Sequence, residues 1–267
     1  MKIVAKRLLG AVQWAMPHSP RPLQRASLQR LEAASPIPNL VSVHSTGRKT
    51  MTAPASVRID FVSDVSCPWC AIGLASLQQA LAKLDGEVVA EIHFQPFELN
   101  PQMAAEGEDS TEHLVRKYGS SAEQIDAPRA ALRDRGAALG FTFNMDRRSR
   151  VYNTFDAHRL LHWAELEGRH LALKQALLRA YFTDGEDVSA HDTLLRLAAE
   201  SGLDVEQARQ VLASDAYADE VRTQERFYQE HGIQSVPATI INGTPLISGG
   251  QPPEAFEQAL RQLSASA

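Results

Sequence analysis

Val57-Arg58-Ile59-Asp60-Phe61-Val62-Ser63-Asp64-Val65-Ser66-Cys67-Pro68-Trp69-Cys70 is the stretch from which the fold is read. Residues 57 to 62 alternate and then turn apolar, as a strand entering a sheet does. A short polar turn follows, and both cysteines of the chain then fall within one tetrapeptide. From Ala71 to Leu84 the leucines Leu74, Leu77, Leu81 and Leu84 recur at helical spacing, and Asp85-Gly86 closes the helix. A thiol at the start of that helix faces unpaired backbone N–H groups and the positive end of the macrodipole, both of which favour thiolate. Thiolate is the species that attacks a disulfide. Cys67 is therefore the expected nucleophile, and Cys70, one turn on, the expected resolving thiol. Pro68 has no N–H to leave unpaired at the first helical position, and Trp69 adds apolar surface beside the sulfur.

The tetrapeptide has two other readings. A structural zinc site needs four protein ligands, and no third cysteine exists to join this pair, so no metal is expected. A purely structural disulfide across so short a loop removes little entropy from the unfolded chain. Redox chemistry is the better fit for a C-x-x-C that lies between strand and helix.

Outward from this unit, Val88, Ala90, Ile92 and Phe94 share one face of a second strand, and Gln95 to Pro101 leads out of it. Strand, helix and strand of these lengths fit a parallel pair with a right-handed crossover. From about Ser110 to His231 the strand signals vanish. Phe155, Leu160, Leu161 and Ala164 mark one helix, Leu173, Leu177, Ala180 and Tyr181 another, and Leu194, Leu197 and Ala198 a third. The sheet pattern returns after Gly232. Ala238 to Ile241, the dipeptide Asn242-Gly243 and Pro245 to Ile247 read as a hairpin, and Phe256, Ala259, Leu260 and Leu263 as the inner face of a last helix. The fold class is α/β, ordered βαβ, helices, ββα.

The whole chain bounds its partners. Its 267 residues are 44% hydrophobic and 22% charged, the composition of an ordinary globular protein. A net charge of −5 gives no reason to expect nucleic acid or an anionic membrane, and no apolar run reaches the roughly 18 residues of a membrane span. The first fifty residues carry eight lysines and arginines against the single acid Glu32. They read as a disordered leader over residues 1–55, or as an untranslated stretch before a start at Met51, rather than as a targeting signal for the periplasm or an organelle. With both cysteines in the active pair, a cytoplasmic location is expected.

The order of elements, with Cys-Pro-Trp-Cys after the first strand and Val236-Pro237 before the hairpin, resembles a thioredoxin fold interrupted by an all-helical insertion. The chain resembles the DsbA family, and more narrowly its FrnE-type branch, through Asp64 to Cys70, Pro96 to Pro101, Asn153-Thr154 with Ala157 to Leu160, Gly232-Ile233, Val236-Pro237 and Ser248 to Gln251. The likeness implies a thioredoxin-like domain over residues 56–109 and 216–267 and a helical insertion over 110–215. It implies a cis Val236–Pro237 bond opposite the cysteines, with the Val236 backbone holding the partner as an added strand. It suggests that Asn153 and His158 line the cleft between the insertion and the thioredoxin core, and that Val236, Pro237 and Trp69 also meet the substrate. Similar 2-hydroxychromene-2-carboxylate isomerases and kappa-class glutathione transferases carry serine where Cys67 stands, so the cysteine favours redox work. The expected activity is thiol-disulfide exchange on a disulfide- or thiol-bearing protein or small molecule. No cofactor is expected, with glutathione as an alternative co-substrate. The rivals are a glutathione-dependent isomerase or transferase acting on a small aromatic substrate, and a non-catalytic binding or chaperone-like module. Asp64 reads as a turn cap or as a proton relay to Cys70, and Glu98 as a solvated residue after an edge segment.

Overall fold

The computed structural model describes residues 55–119 and 121–264. The expected leader and the Met51 start fall on residues outside these. Ten of the elements make up the sheets and the elements that carry the site: strands β1 (Ala55–Ser63), β2 (Val88–Pro96), β3 (Glu108–Asp109), β4 (Arg150–Val151), β5 (Ala238–Ile241) and β6 (Thr244–Ser248), and helices α1 (Pro68–Lys83), α4 (Phe155–Leu166), α5 (His170–Arg179) and α9 (Pro253–Ser264). Between them lie α2 (Ser110–Tyr118), α3 (Ala122–Ala138), α6 (His191–Glu200), α7 (Val205–Leu212) and α8 (Ala218–Glu230). A π-turn at Ala180–Asp184 continues α5.

The four-stranded sheet runs β2-β1-β5-β6. β1 and β2 are parallel, with Phe61 opposite Phe94, and the two rings meet edge to face at 6.0 Å. β5 lies antiparallel to β1, with Val62 opposite Ala238. Asn242 and Gly243 both take positive φ, 49° and 68°, as the tight β5–β6 turn requires. This is the thioredoxin-like arrangement expected from the sequence, with a high helical content. Ile59 and Phe61 of β1, Ile72, Leu74 and Leu77 of α1, and Phe256 and Leu260 of α9 are buried together. Burying side chains of this size contributes about 1.5–3 kcal/mol each. The same cluster runs on without a break into Leu160, Leu173, Leu177 and Phe182 of the helical segment, while Tyr228 of α8 packs with Val62 and Ile240 in a second cluster on the other face of the sheet.

Two details differ from the sequence reading. The helical stretch is not free of strand: β3 and β4 pair as an antiparallel ribbon of two residues each, too short for a period to register. α3 runs through Pro128, a residue that ordinarily ends a helix because it has no N–H for the bond to the previous turn. A capping box at Ser121 and Gln124 secures its start. Among the described residues, no helix is long and apolar enough to cross a membrane.

Candidate active site

The site forms where the end of β1 and the start of β5 meet. Because β5 runs antiparallel to β1, the loop after Ser63 and the residues before Ala238 emerge at the same end of the sheet. Cys67 is the N-cap of α1, with φ −90° and ψ 115°, and Pro68 occupies the first turn. No side-chain oxygen caps this helix, so its first N–H groups and dipole face the sulfur region directly. The Cys67 thiol donates to the Val236 carbonyl at 3.6 Å. The Val236–Pro237 bond is cis. The Pro237 ring lies against α1 at Gly73, where a Cβ would stand 3.1 Å from Pro237 Cγ.

Cys67 and Cys70 are both free thiols. Cys70 is wholly buried behind Cys67, and its thiol is pushed well above the ordinary range, first by burial and then by the hydrogen bond and charge of Cys67. The Asp64 backbone N–H and the Lys174 charge act the other way. A thiol placed in this way is held in its protonated form.

Cys67 opens on a cleft of about 840 Å³, lined among others by Trp69, Leu99, Arg129, Arg148 and Val236. Trp69 is 38% exposed. Arg135 stacks on its ring at 5.3 Å and donates to the Gly250 carbonyl at 2.7 Å. Gly250 is needed there, since a Cβ would come within 3.0 Å of the Trp69 carbonyl and of Ile72.

Asp64 is a turn anchor. Its carboxylate accepts from Ser66 N (3.1 Å), Ser66 Oγ (2.9 Å) and Leu99 N (2.7 Å), and His158 Nε2 stands 3.6 Å away. Burial alone raises this carboxyl, but the His158 ring and the two backbone donors outweigh it and hold the group at about 2. A carboxylate so weakly basic is a poor proton relay. His158 is buried in α4 and meets Asp64 rather than the cleft wall. Asn153 is spent on backbone: its Nδ2 donates to Met103 O at 3.3 Å, and its Oδ1 accepts from Phe155 N at 2.9 Å. Neither residue is on the wall of the cleft.

Three groups escaped the sequence reading. Glu98 is only 5% exposed and lines the cleft. Its carboxylate shares Arg222 with buried Glu225. Lys174 is fully buried, with no hydrogen-bond partner at Nζ. His158 and His162 stand four apart on α4, a spacing that can bind metal and that the sequence reading passed over. In the fold His162 lies against the Tyr217 ring at 5.1 Å, while His158 faces Asp64. Among the described residues no three histidines, cysteines or carboxylates gather as a metal site.

The DSBA-like thioredoxin domain pattern matches residues 58–261. The crystal structure of a probable DsbA oxidoreductase from Streptomyces coelicolor is 39% identical, covers 79% of this chain and 91% of its own, and superposes with a TM-score of 0.74. An uncharacterised Bacillus subtilis protein, YwbO, is 26% identical over 77% of this chain and 96% of its own length. The cytosolic disulfide reductase DsbM from Pseudomonas aeruginosa, solved with glutathione, is 17% identical, covers 77% of this chain and 98% of its own, and has a TM-score of 0.55, a likeness of fold.

Proposed function

The chain belongs to the DSBA-like thioredoxin domain family, and from that membership we propose that it is a thiol-disulfide oxidoreductase working through Cys67 and Cys70. The observation that carries the reading is the opposition of the Cys67 sulfur, at the helix N-terminus, to the Val236 carbonyl 3.6 Å away. An extended partner chain laid along Val236 and Pro237 brings its own sulfur to Cys67. Trp69 supplies the apolar floor.

The exchange has two steps. Cys67 thiolate attacks a substrate disulfide, forming a mixed disulfide and releasing one substrate thiolate. Cys70 then loses its proton and attacks the Cys67 sulfur. The enzyme disulfide closes and the second substrate thiolate leaves, so two electrons pass from the enzyme dithiol to the substrate. Run backwards, the same steps oxidise a substrate dithiol.

Protein disulfides are the proposed substrates, with glutathione as the small-thiol partner. The glutathione held by the Pseudomonas neighbour, and Arg129 and Arg148 on the cleft wall as carboxylate partners, support that choice. The reaction is proposed for the cytoplasm, since both cysteines of the chain lie in the active pair.

Cys70→Ser tests the assignment. The variant is expected to stall as a mixed disulfide at Cys67, detectable by intact mass with a disulfide substrate. A variant that turns over a small aromatic substrate at the parental rate would favour a transferase or isomerase instead. Full retention of measured function by Cys67→Ser would favour a non-catalytic module.

A further inference from the structure

One wall of the cleft beside Cys67 is a face of α3. Ile125, Pro128, Arg129 and Leu132 line it, at the i, i+3, i+4 and i+7 spacing that aligns side chains along one side of a helix. Arg135 stands three residues beyond Leu132 and continues that face as far as Trp69. Its guanidinium lies over the indole, 5.3 Å from the ring centroid, and its Nη2 donates to the Gly250 carbonyl at 2.7 Å. Gly250 packs on the same residue, since a Cβ there would stand 3.0 Å from the Trp69 carbonyl oxygen and 3.1 Å from the ring atom Cε3. The neighbouring Gly249 N–H donates to the Pro237 carbonyl at 2.8 Å. One side chain of the helical segment therefore reaches both the dipeptide between the two sulfurs and the turn after β6 that is bonded to Pro237.

Trp69 needs such a tether. The residue is 38% exposed, and an indole open to water over that much of its surface has few neighbours to fix its rotamer. A mobile ring must be ordered when a partner settles on it, which weakens association roughly 2- to 12-fold, the usual cost of immobilising one side chain. A cation over the ring, anchored at its other end by a charged hydrogen bond, orders the ring beforehand. Arg135 itself is exposed, so its role is not to fill the core.

We propose that Arg135 is a positioning residue that holds the Trp69 ring ready for the apolar polypeptide segment carrying the reacting disulfide. The proposal rests on the exchange reading above and gives the helical segment a part in substrate choice. The partner that gains is an extended peptide with apolar side chains beside its cysteine, because Leu99, Leu132 and Val236 line the same cleft and the ring adds apolar surface to theirs. A small polar disulfide that reaches Cys67 without resting on the indole gains nothing.

The experiment uses the reduced full chain and two mixed disulfides of 2-nitro-5-thiobenzoate, one with the cysteine of acetyl-Leu-Ala-Cys-Val-Leu-amide and one with 2-mercaptoethanol. Attack by the Cys67 thiolate on the peptide or mercaptoethanol sulfur forms a new S–S bond and expels the same coloured thiolate from both. The ratio of the two second-order rate constants therefore reports docking apart from the reactivity of the sulfur. In Arg135→Met the peptide-to-mercaptoethanol ratio should fall roughly 2- to 12-fold, with the mercaptoethanol rate within about 2-fold of the parent. Trp69→Ala should lower the ratio too, and Arg135→Met added to it should change the ratio by less than about 1.5-fold, since no ring is left to position. An unchanged ratio in Arg135→Met, equal slowing of both probes, or losses that multiply in the double variant would overturn the proposal. Ring order is read directly from ¹⁵N relaxation of the Trp69 indole N–H, identified by its loss in Trp69→Ala. The indole should loosen in Arg135→Met, and a ring as ordered as in the parent refutes the assignment. A parent chain that expels no coloured thiolate from either probe would refute the exchange reading instead, and the indole relaxation then decides whether Arg135 holds the ring.

Discussion

Replacing Asp64 by asparagine removes a buried charge while keeping its shape, and the structure fixes what should follow. The carboxylate is held at about 2 against an ordinary 3.8. At about 1.4 kcal/mol per pKa unit, its ionisation contributes on the order of 2.5 kcal/mol to stability at pH 7. The sign follows from the depressed folded-state value. The contribution is fully present above the unfolded value near 4 and is lost as pH falls toward 2, with roughly half gone by pH 3. Asparagine also turns one acceptor into a donor. Ser66 Oγ can rotate to accept from it, but the amide N–H of Leu99 or of Ser66 cannot, so one buried donor is orphaned at a cost of about 1–3 kcal/mol. Asp64→Asn should therefore lose about 3 kcal/mol or more at pH 7 in urea denaturation. The gap to the parent should narrow by more than about 1 kcal/mol at pH 3, because the parent alone forfeits its charge there. Parallel stability curves from pH 7 to pH 3, or a variant as stable as the parent at pH 7, would refute this account.

Glu98 carries the opposite sign: burial first, and then the neighbouring Glu225 charge, raise its carboxyl, with His158 and Arg222 opposing. A raised folded-state value stabilises below the unfolded value and is lost as pH rises. Glu98→Gln should thus be more favourable, relative to the parent, at pH 8 than at pH 5; a larger gain at pH 5 in thermal melts would count against it. Gly250→Val should destabilise the fold by about 1–3 kcal/mol through overpacking on Trp69 and Ile72, and calorimetry showing no loss would contradict the contact. Gly73→Ala gains about 1 kcal/mol of helix propensity while pressing on the Pro237 ring. The expectation is near-neutral stability with a several-fold slower Cys67 attack in the coloured-thiolate assay, and an unchanged rate would show that the ring yields freely.

The strands, the redox helix and the closing hairpin were legible in the sequence because each is written in neighbouring residues. Val57 to Val62 alternate, the leucines of α1 keep a helical period, and Asn242-Gly243 supplies the positive φ its turn needs. The polar interior was not legible, because its partners are distant along the chain. Asp64 meets His158 only through the packing of α4, and Glu98 meets Arg222 only through α8. Glu98 therefore looked solvated, and Asp64 looked able to relay a proton. Lys174 did leave a trace. It stands at i with Leu177, Leu178 and Tyr181 at i+3, i+4 and i+7, all four buried, so the charge lies on the apolar stripe. Read by residue type alone it passes for a solvated face; read by position it is enclosed. The ribbon of β3 and β4 left no trace, since two residues cannot display an alternation.

The pairing of Val62 with Ala238 joins segments from opposite ends of the described chain, and that has a bearing on protein synthesis. A nascent polypeptide that has emerged only as far as α8 already carries Cys67 and Cys70 but lacks the strand that sets Val236 against them. Such a chain bears sulfurs without a docking rail. On the proposed function, translation through β5 is thus a prerequisite for selective partner choice, and the thiols of fragments ending before residue 236 should exchange with any accessible disulfide.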